Sequence, residues 1–183
     1  MSYLCSNLDL THLIEEDHIG TRKSPTDAQI TTWMQELDRR TRRIIRQHGV
    51  FIQFVGGDPS TRTTQFAYTV GLFGLEHPEL LVMGMCPDCA ATVLNDVAAR
   101  VRQGAELSPG QMIRLARGDE LVVETLPNPG QILFSANSYY RRPDARSVPA
   151  FQLTYADAEG RFPWDAGCSI PAWEQPRPGE FRA

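Results

Sequence analysis

Residues 66 to 89 hold the side chains best suited to chemistry: Tyr68 and Thr69 in an apolar run, His77 and Glu79 around Pro78, then Cys86 and Cys89 three positions apart. An imidazole can move a proton near neutral pH, and a carboxyl two positions on can orient it or act as a base. His77, Glu79 and Tyr68 are therefore candidate catalytic groups. Aromatic walls around a few oriented polar groups are how small-ligand sites are built. By that logic Tyr68, Thr69, His77, Glu79, Tyr139, Tyr140 and Gln152 form a candidate ligand pocket. Folding roles stay open to the same residues: His-Pro can shape a loop, Glu79 can bind loop amides, and tyrosines can sit in a core with a wet hydroxyl.

The thiol pair offers two further chemistries. A cysteine at a helix start faces unpaired amides and the positive dipole end, which stabilise a thiolate, and Cys86-Pro87-Asp88-Cys89 opens an amphipathic run. Cys89 falls on the same side of the first turn, close enough to resolve a mixed disulfide. Asp88 works against the thiolate, and cysteine also packs readily as a small hydrophobe. Two thiolates at this spacing make half of a tetrahedral zinc site, which Cys168 with His77, His48 or Cys5 would have to complete; no second close pair exists. The chain lacks a Gly-x-Ser-x-Gly elbow, a phosphate-binding glycine loop, a dinucleotide fingerprint and a paired-histidine zinc helix. Those absences remove the commonest hydrolase, kinase and dehydrogenase readings.

These groups must be held by regular elements. Residues 1–23 show no sustained period and read as an N-terminal arm. Ser24-Pro25-Thr26-Asp27 is a helix start, and the helix runs to about His48, before Gly49. Ile30, Trp33, Met34, Leu37, Ile44, Ile45 and His48 share its expected core face, and Arg39, Arg42, Arg43 and Arg46 lie opposite. Glu36 to Arg40 and Asp38 to Arg42 have ion-pair spacing. That basic face reads as solvated, or as a docking patch for an acidic partner.

Strands are expected over Val50–Val55, Gln65–Leu72, Glu79–Met85, Leu121–Leu126 and Pro149–Tyr155, each bounded by turn residues. Phe66, Tyr68 and Val70 should share one face of the second strand, and Ala67 and Thr69 the other. Pro87 to Arg102 is a second amphipathic helix closed by Gly104, and Gln131 to Arg142 leans to helix. The tail 171–183, with three prolines, should wrap the surface or extend from it. The fold class that follows is α+β: one domain over 24–170, with a mixed or antiparallel sheet of about five strands covered by two main helices.

In order and spacing, Phe66-Ala67-Tyr68-Thr69-Val70-Gly71-Leu72, His77-Pro78-Glu79-Leu80, Leu94-Asn95-Asp96, Tyr139-Tyr140, Gln152-Leu153, and Asp157 with Phe162-Pro163-Trp164 resemble the bacterial family called domain of unknown function 4262. The resemblance spans roughly residues 45 to 175. It implies a fold and no catalytic assignment. The family usually opens the second helix with an apolar-Pro-Pro turn, so Cys86 and Cys89 are a departure from it.

Composition bounds the remainder. With 183 residues, 42% hydrophobic and 22% charged, the chain has the profile of one globular domain. A net charge of −4 points away from nucleic acid, and the N-terminus lacks the basic start and apolar run of a secretory signal. No segment approaches a membrane span. A soluble, cytoplasmic protein with four reduced cysteines is the expectation. Its leading function is small-ligand binding or protein interaction. An acid-base enzyme on a small or peptide substrate is the alternative, and thiol-redox or zinc chemistry is the third. The sequence specifies no cofactor and no oligomeric state.

Overall fold

A computed structural model describes residues 6–7, 26–116 and 118–183. Strands β1 (Ser6–Asn7), β2 (Phe51–Val55), β3 (Phe66–Val70), β4 (Glu79–Met83), β5 (Met112–Arg114), β6 (Glu120–Thr125) and β7 (Ala150–Tyr155) join in one sheet, ordered β1-β2-β3-β4-β7-β6-β5. The pairs β1/β2 and β4/β7 are parallel and the others antiparallel, so the sheet is mixed. The five strands expected from the pattern are all present. The two extra ones, β1 and β5, have two and three residues, too few for a periodic signal.

Both faces of the sheet are covered. Helix α2 (Pro87–Arg102) lies on one, burying Ala90, Val93, Leu94, Val97, Ala98 and Val101 against Ile52, Phe54, Ala67, Leu80, Val82, Leu121, Val123 and Leu153. Each fully buried Val or Leu contributes about 1.5–3 kcal/mol. On the other face Phe51, Phe66, Tyr68, Val70, Leu81 and Met83 meet Ala136 of the short helix α3 (Phe134–Tyr139), with Phe181 of the tail packed beside them. The alternation expected in β3 is thus realised, with Phe66, Tyr68 and Val70 on the α3 side and Ala67 on the α2 side. The helix expected over Gln131–Arg142 is α3 preceded by a 3-10 turn at Pro129–Gln131.

Helix α1 (Asp27–His48) departs from its expected burial. Thr41 is buried, Leu37, Ile44 and Ile45 are half-buried, and His48 is exposed. The helix meets the sheet at β2, and Ile44 and Ile45 pack on the core of the α3 side while His48 stays outside it. The Arg102 guanidinium donates to the His48 carbonyl at 2.6 Å and covers that turn. Arg39, Arg42, Arg43 and Arg46 are exposed as expected. Asp38 pairs with Arg42 at 3.0 Å, whereas Glu36 pairs with Arg39 in place of Arg40. Arg42 also lies over the Tyr139 ring. The 1–23 arm, apart from Ser6–Asn7, and the side chains of Ile30, Trp33 and Met34 lie outside the described residues.

The tail packs along the sheet. The Thr64 hydroxyl donates to the Trp173 carbonyl, Gln152 Nε2 to the Pro176 carbonyl at 2.8 Å, and Asn128 Nδ2 to the Phe181 carbonyl at 2.7 Å. Gln175 is 1% exposed; its amide accepts from Tyr155 N–H at 2.8 Å and donates to Tyr155 C=O at 3.0 Å, as a neighbouring strand would. Of the tail's two expected courses, wrapping is the one observed.

Candidate functional site

Glu79 opens β4, is fully buried, and is the centre of a loop clamp. Its carboxylate accepts from Thr69 Oγ1 at 2.6 Å and from the amides of Gly71, Phe73 and Leu72 at 2.8, 3.1 and 3.3 Å. Those amides start the 3-10 turn Leu72–Leu75, which has no side-chain cap of its own, so Glu79 supplies the acceptor from a distance. Gly71 makes the approach possible: its φ is +140°, and a Cβ there would lie 2.8 Å from the Gly49 carbonyl oxygen. Burial pushes the Glu79 carboxyl up to about 7 against the lowering effect of these hydrogen bonds.

The other residues expected to share a pocket with Glu79 are distributed around this clamp. Tyr140 joins it: its hydroxyl accepts from Gly74 N–H at 3.0 Å, and burial followed by the Glu79 charge raises its pKa. Tyr139 stands edge-on to Tyr140 at 4.8 Å. Tyr68 does not face the clamp's amides; its hydroxyl accepts from Ser135 N–H at 3.0 Å, and burial holds it at about 12. His77 donates from Nδ1 to its neighbour's carbonyl, Pro78 O, at 2.6 Å and sets its ring edge-on to Phe151. Gln152 is spent on the tail. Tyr68, Thr69, Glu79 and Gln152 are all fully buried, and none of the seven lines the cavities of about 480, 580, 220 or 540 Å³ among the described residues. The physical reason is that burial leaves polar groups to be satisfied inside the fold, as for Tyr68, Thr69 and Glu79, whereas His77 Nε2 and Gln152 Oε1 are buried without a hydrogen-bond partner.

A cleft of about 480 Å³ lies at the opposite end of β4. The four steps from Glu79 to Met83 span about 13 Å of strand, so the His-Pro-Glu turn and the thiol pair flank β4 at its two ends. Three elements build the cleft. Met85, Cys86 and Cys89 follow β4 and begin α2; Tyr155, Ala156, Asp157, Ala158 and Gly160 end β7 and make its turn; Gly118, Asp119 and Glu120 come from the β5–β6 hairpin. Since β4 and β7 are adjacent and parallel, the cleft sits outside the carboxyl ends of parallel strands beside a helix N-terminus, the position where α/β sheets bind ligands.

Asp157 fixes one wall. Its Oδ1 accepts from the amides of Glu159 and Arg161, and its Oδ2 from the Arg161 guanidinium and from Ser169 N–H and O–H. Burial works to raise this carboxyl, but the donors prevail and hold it well below the usual carboxylate range. Cys86 fixes the opposite wall as N-cap of α2, its sulfur accepting from Cys89 N–H at 3.2 Å. The Cys89 side chain, and then its amide, lower the Cys86 pKa. Tyr155 between them is raised by burial, then by the charges of Glu174, Cys168 and Cys89.

Residues 44–169 match the family described as domain of unknown function DUF4262. The chain belongs to that family. No curated protein and no solved structure matches it significantly. The DUF4262 match contains the Glu79 clamp, Asp157 with its donors and every cleft residue, and excludes most of α1 and the tail. Three segments within the matched range thereby gain a physical explanation: the Tyr-Thr-x-Gly-Leu and His-Pro-Glu segments meet at Glu79, and the Asp157 to Trp164 segment is organised by Asp157.

Sequence reasoning had Cys86 and Cys89 in view but missed Tyr155 and the β5–β6 hairpin as cleft walls. The missing signal is the parallel β4/β7 pairing, which joins residues some 70 positions apart in sequence. No group of three or more His, Cys, Asp or Glu side chains able to hold a metal occurs among the described residues, so the zinc set does not assemble there. No helix among them is long and apolar enough to cross a membrane. In a hollow of about 580 Å³ beside β6, Arg177 is already paired with Glu124 and stacked 4.6 Å over Trp164.

Proposed function

We propose that this domain binds a small organic molecule in the cleft between the α2 N-terminus and the end of β7. One observation carries the reading: a cavity of about 480 Å³, within the range of small-molecule sites, opens where two parallel strands and a helix N-terminus meet. Met85, Tyr155, Ala156 and Ala158 provide apolar area, and Cys86, Cys89, Asp119 and Glu120 are the polar groups that would orient a ligand. An acid-base enzyme built on Glu79 is less well supported, because every lone pair that carboxylate needs to use is used within its own loop.

Native mass spectrometry of the full chain, after incubation with the small-molecule fraction of a cell lysate, tests the reading. Ala158 is exposed on the rim, so Ala158→Trp should fill the cleft mouth without disturbing the core. Wild type is expected to retain a non-covalent adduct that Ala158→Trp loses at unchanged melting temperature. Equal retention by both proteins would refute the cleft as the site.

A further inference from the structure

The cleft carries a second level of chemistry in its two sulfurs. Cys86 is exposed and Cys89 is half-buried, the two standing at either end of the first turn of α2. Pro87 at the first helical position fixes the turn between them. The Cys86 sulfur receives the Cys89 amide at 3.2 Å, so the position that caps the helix is also one where negative sulfur is stabilised. An accessible first thiol, a shielded second thiol within reach, and a cavity in front of both are the parts a dithiol exchange site needs.

We propose that Cys86 and Cys89 perform thiol–disulfide exchange with a small-molecule disulfide seated in the cleft, a proposal that rests on reading the cleft as a ligand site. The Cys86 thiolate attacks one sulfur of the bound disulfide. The S–S bond of the ligand breaks, one half leaves as a thiolate that takes up a proton, and the other half remains as a mixed disulfide on Cys86. Cys89 then releases its proton to solvent and attacks the Cys86 sulfur, which expels the second half. Two electrons pass from the protein dithiol to the ligand disulfide, which is the oxidant, and the protein ends with a Cys86–Cys89 disulfide. Two small thiols reverse the same steps. Exposure and a lowered pKa assign Cys86 the attacking role; the Asp88 amide adds to that lowering and the Asp88 charge opposes it. Cys168, whose sulfur contacts the Arg161 carbonyl, is outside this pair.

The test uses the reduced full chain and 2-hydroxyethyl disulfide, followed by intact mass and peptide mapping. Wild type should lose two hydrogens with no adduct retained. Cys89→Ser should stop at a mixed disulfide on Cys86, and Cys86→Ser should react about tenfold or more slowly at this pair. Serine is itself a favoured N-cap, so the Cys86→Ser protein keeps its helix start. Wild type that halts at a mixed disulfide, or that reacts at Cys168 as fast as at Cys86, overturns the exchange chemistry while leaving non-covalent retention in the cleft intact. Ala158→Trp separates the two readings. A slowed reaction supports exchange within the cleft, and an unchanged rate overturns a cleft-bound disulfide as the substrate.

Discussion

Thr69 and Glu79 form a two-step relay at the core of the fold: Thr69 Oγ1 donates to Glu79 Oε2 at 2.6 Å and accepts from Leu80 N–H at 2.8 Å. A strand end, a 3-10 turn and the next strand are closed by that pair. Glu79 of the His-Pro-Glu motif is thereby a clamp on the loop that precedes it.

Removing the clamp should cost stability. Glu79→Ala leaves the Thr69 hydroxyl and three amides without their acceptor in a buried site, each unsatisfied group costing about 1–3 kcal/mol. A loss of about 3 kcal/mol or more in urea unfolding is expected. A loss below about 0.5 kcal/mol, the range of ordinary surface changes, would contradict the clamp.

The same residue sets a pH dependence. Its carboxyl is raised from 4.5 to about 7 in the native state, so between those values the folded protein binds more protons than the unfolded chain. The contribution to stability is fully present below about pH 4.5 and is lost as pH rises toward 7. Urea midpoints measured across this range should fall with pH in wild type and fall less steeply in Glu79→Gln. A Glu79→Gln slope equal to wild type would assign the titration to another group.

Gly84 links β4 to the cleft and the tail. Its φ is +72°, and a Cβ there would lie 2.6 Å from the Glu174 carbonyl oxygen and 2.9 Å from the Tyr155 hydroxyl. Gly84→Ala should therefore destabilise by about 1–3 kcal/mol, from backbone strain and displacement of the tail. Thermal unfolding together with proteolysis at residues 171–183 checks both effects; wild-type values in each would refute the contact.

Gln175 acts as a substitute strand beside Tyr155. Gln175→Leu keeps the volume and deletes both bonds, so hydrogen exchange at Tyr155 and Ala156 should quicken while β2 and β3 stay protected. Uniform protection across the sheet would show that the tail does not support this edge.

Much of the architecture was legible because alternation and helical periodicity are local properties. α2 matches its expected span from Pro87 to Arg102, and Tyr68 and Ala67 take opposite faces. The site was less legible because it depends on partners far apart in sequence. Tyr68 and Glu79 face neighbouring strand ends on paper, yet the Tyr68 hydroxyl meets Ser135 from α3, and Glu79 is claimed by amides six to eight residues back along the chain. His48 matched a helix face by spacing but is exposed, since Ile44 and Ile45 are the side chains at that end of α1 that pack on the core. Periodicity identifies which residues share a face, and tertiary pairing decides what that face meets.

Amide NMR mapping with the small-molecule fraction of a lysate tests the central claim most directly. The account predicts shifts concentrated at Cys86–Cys89, Gly118–Glu120 and Tyr155–Ala158, lost in Ala158→Trp. Shifts confined to the His77–Glu79 turn or to the Arg39, Arg43 and Arg46 face of α1 would contradict it.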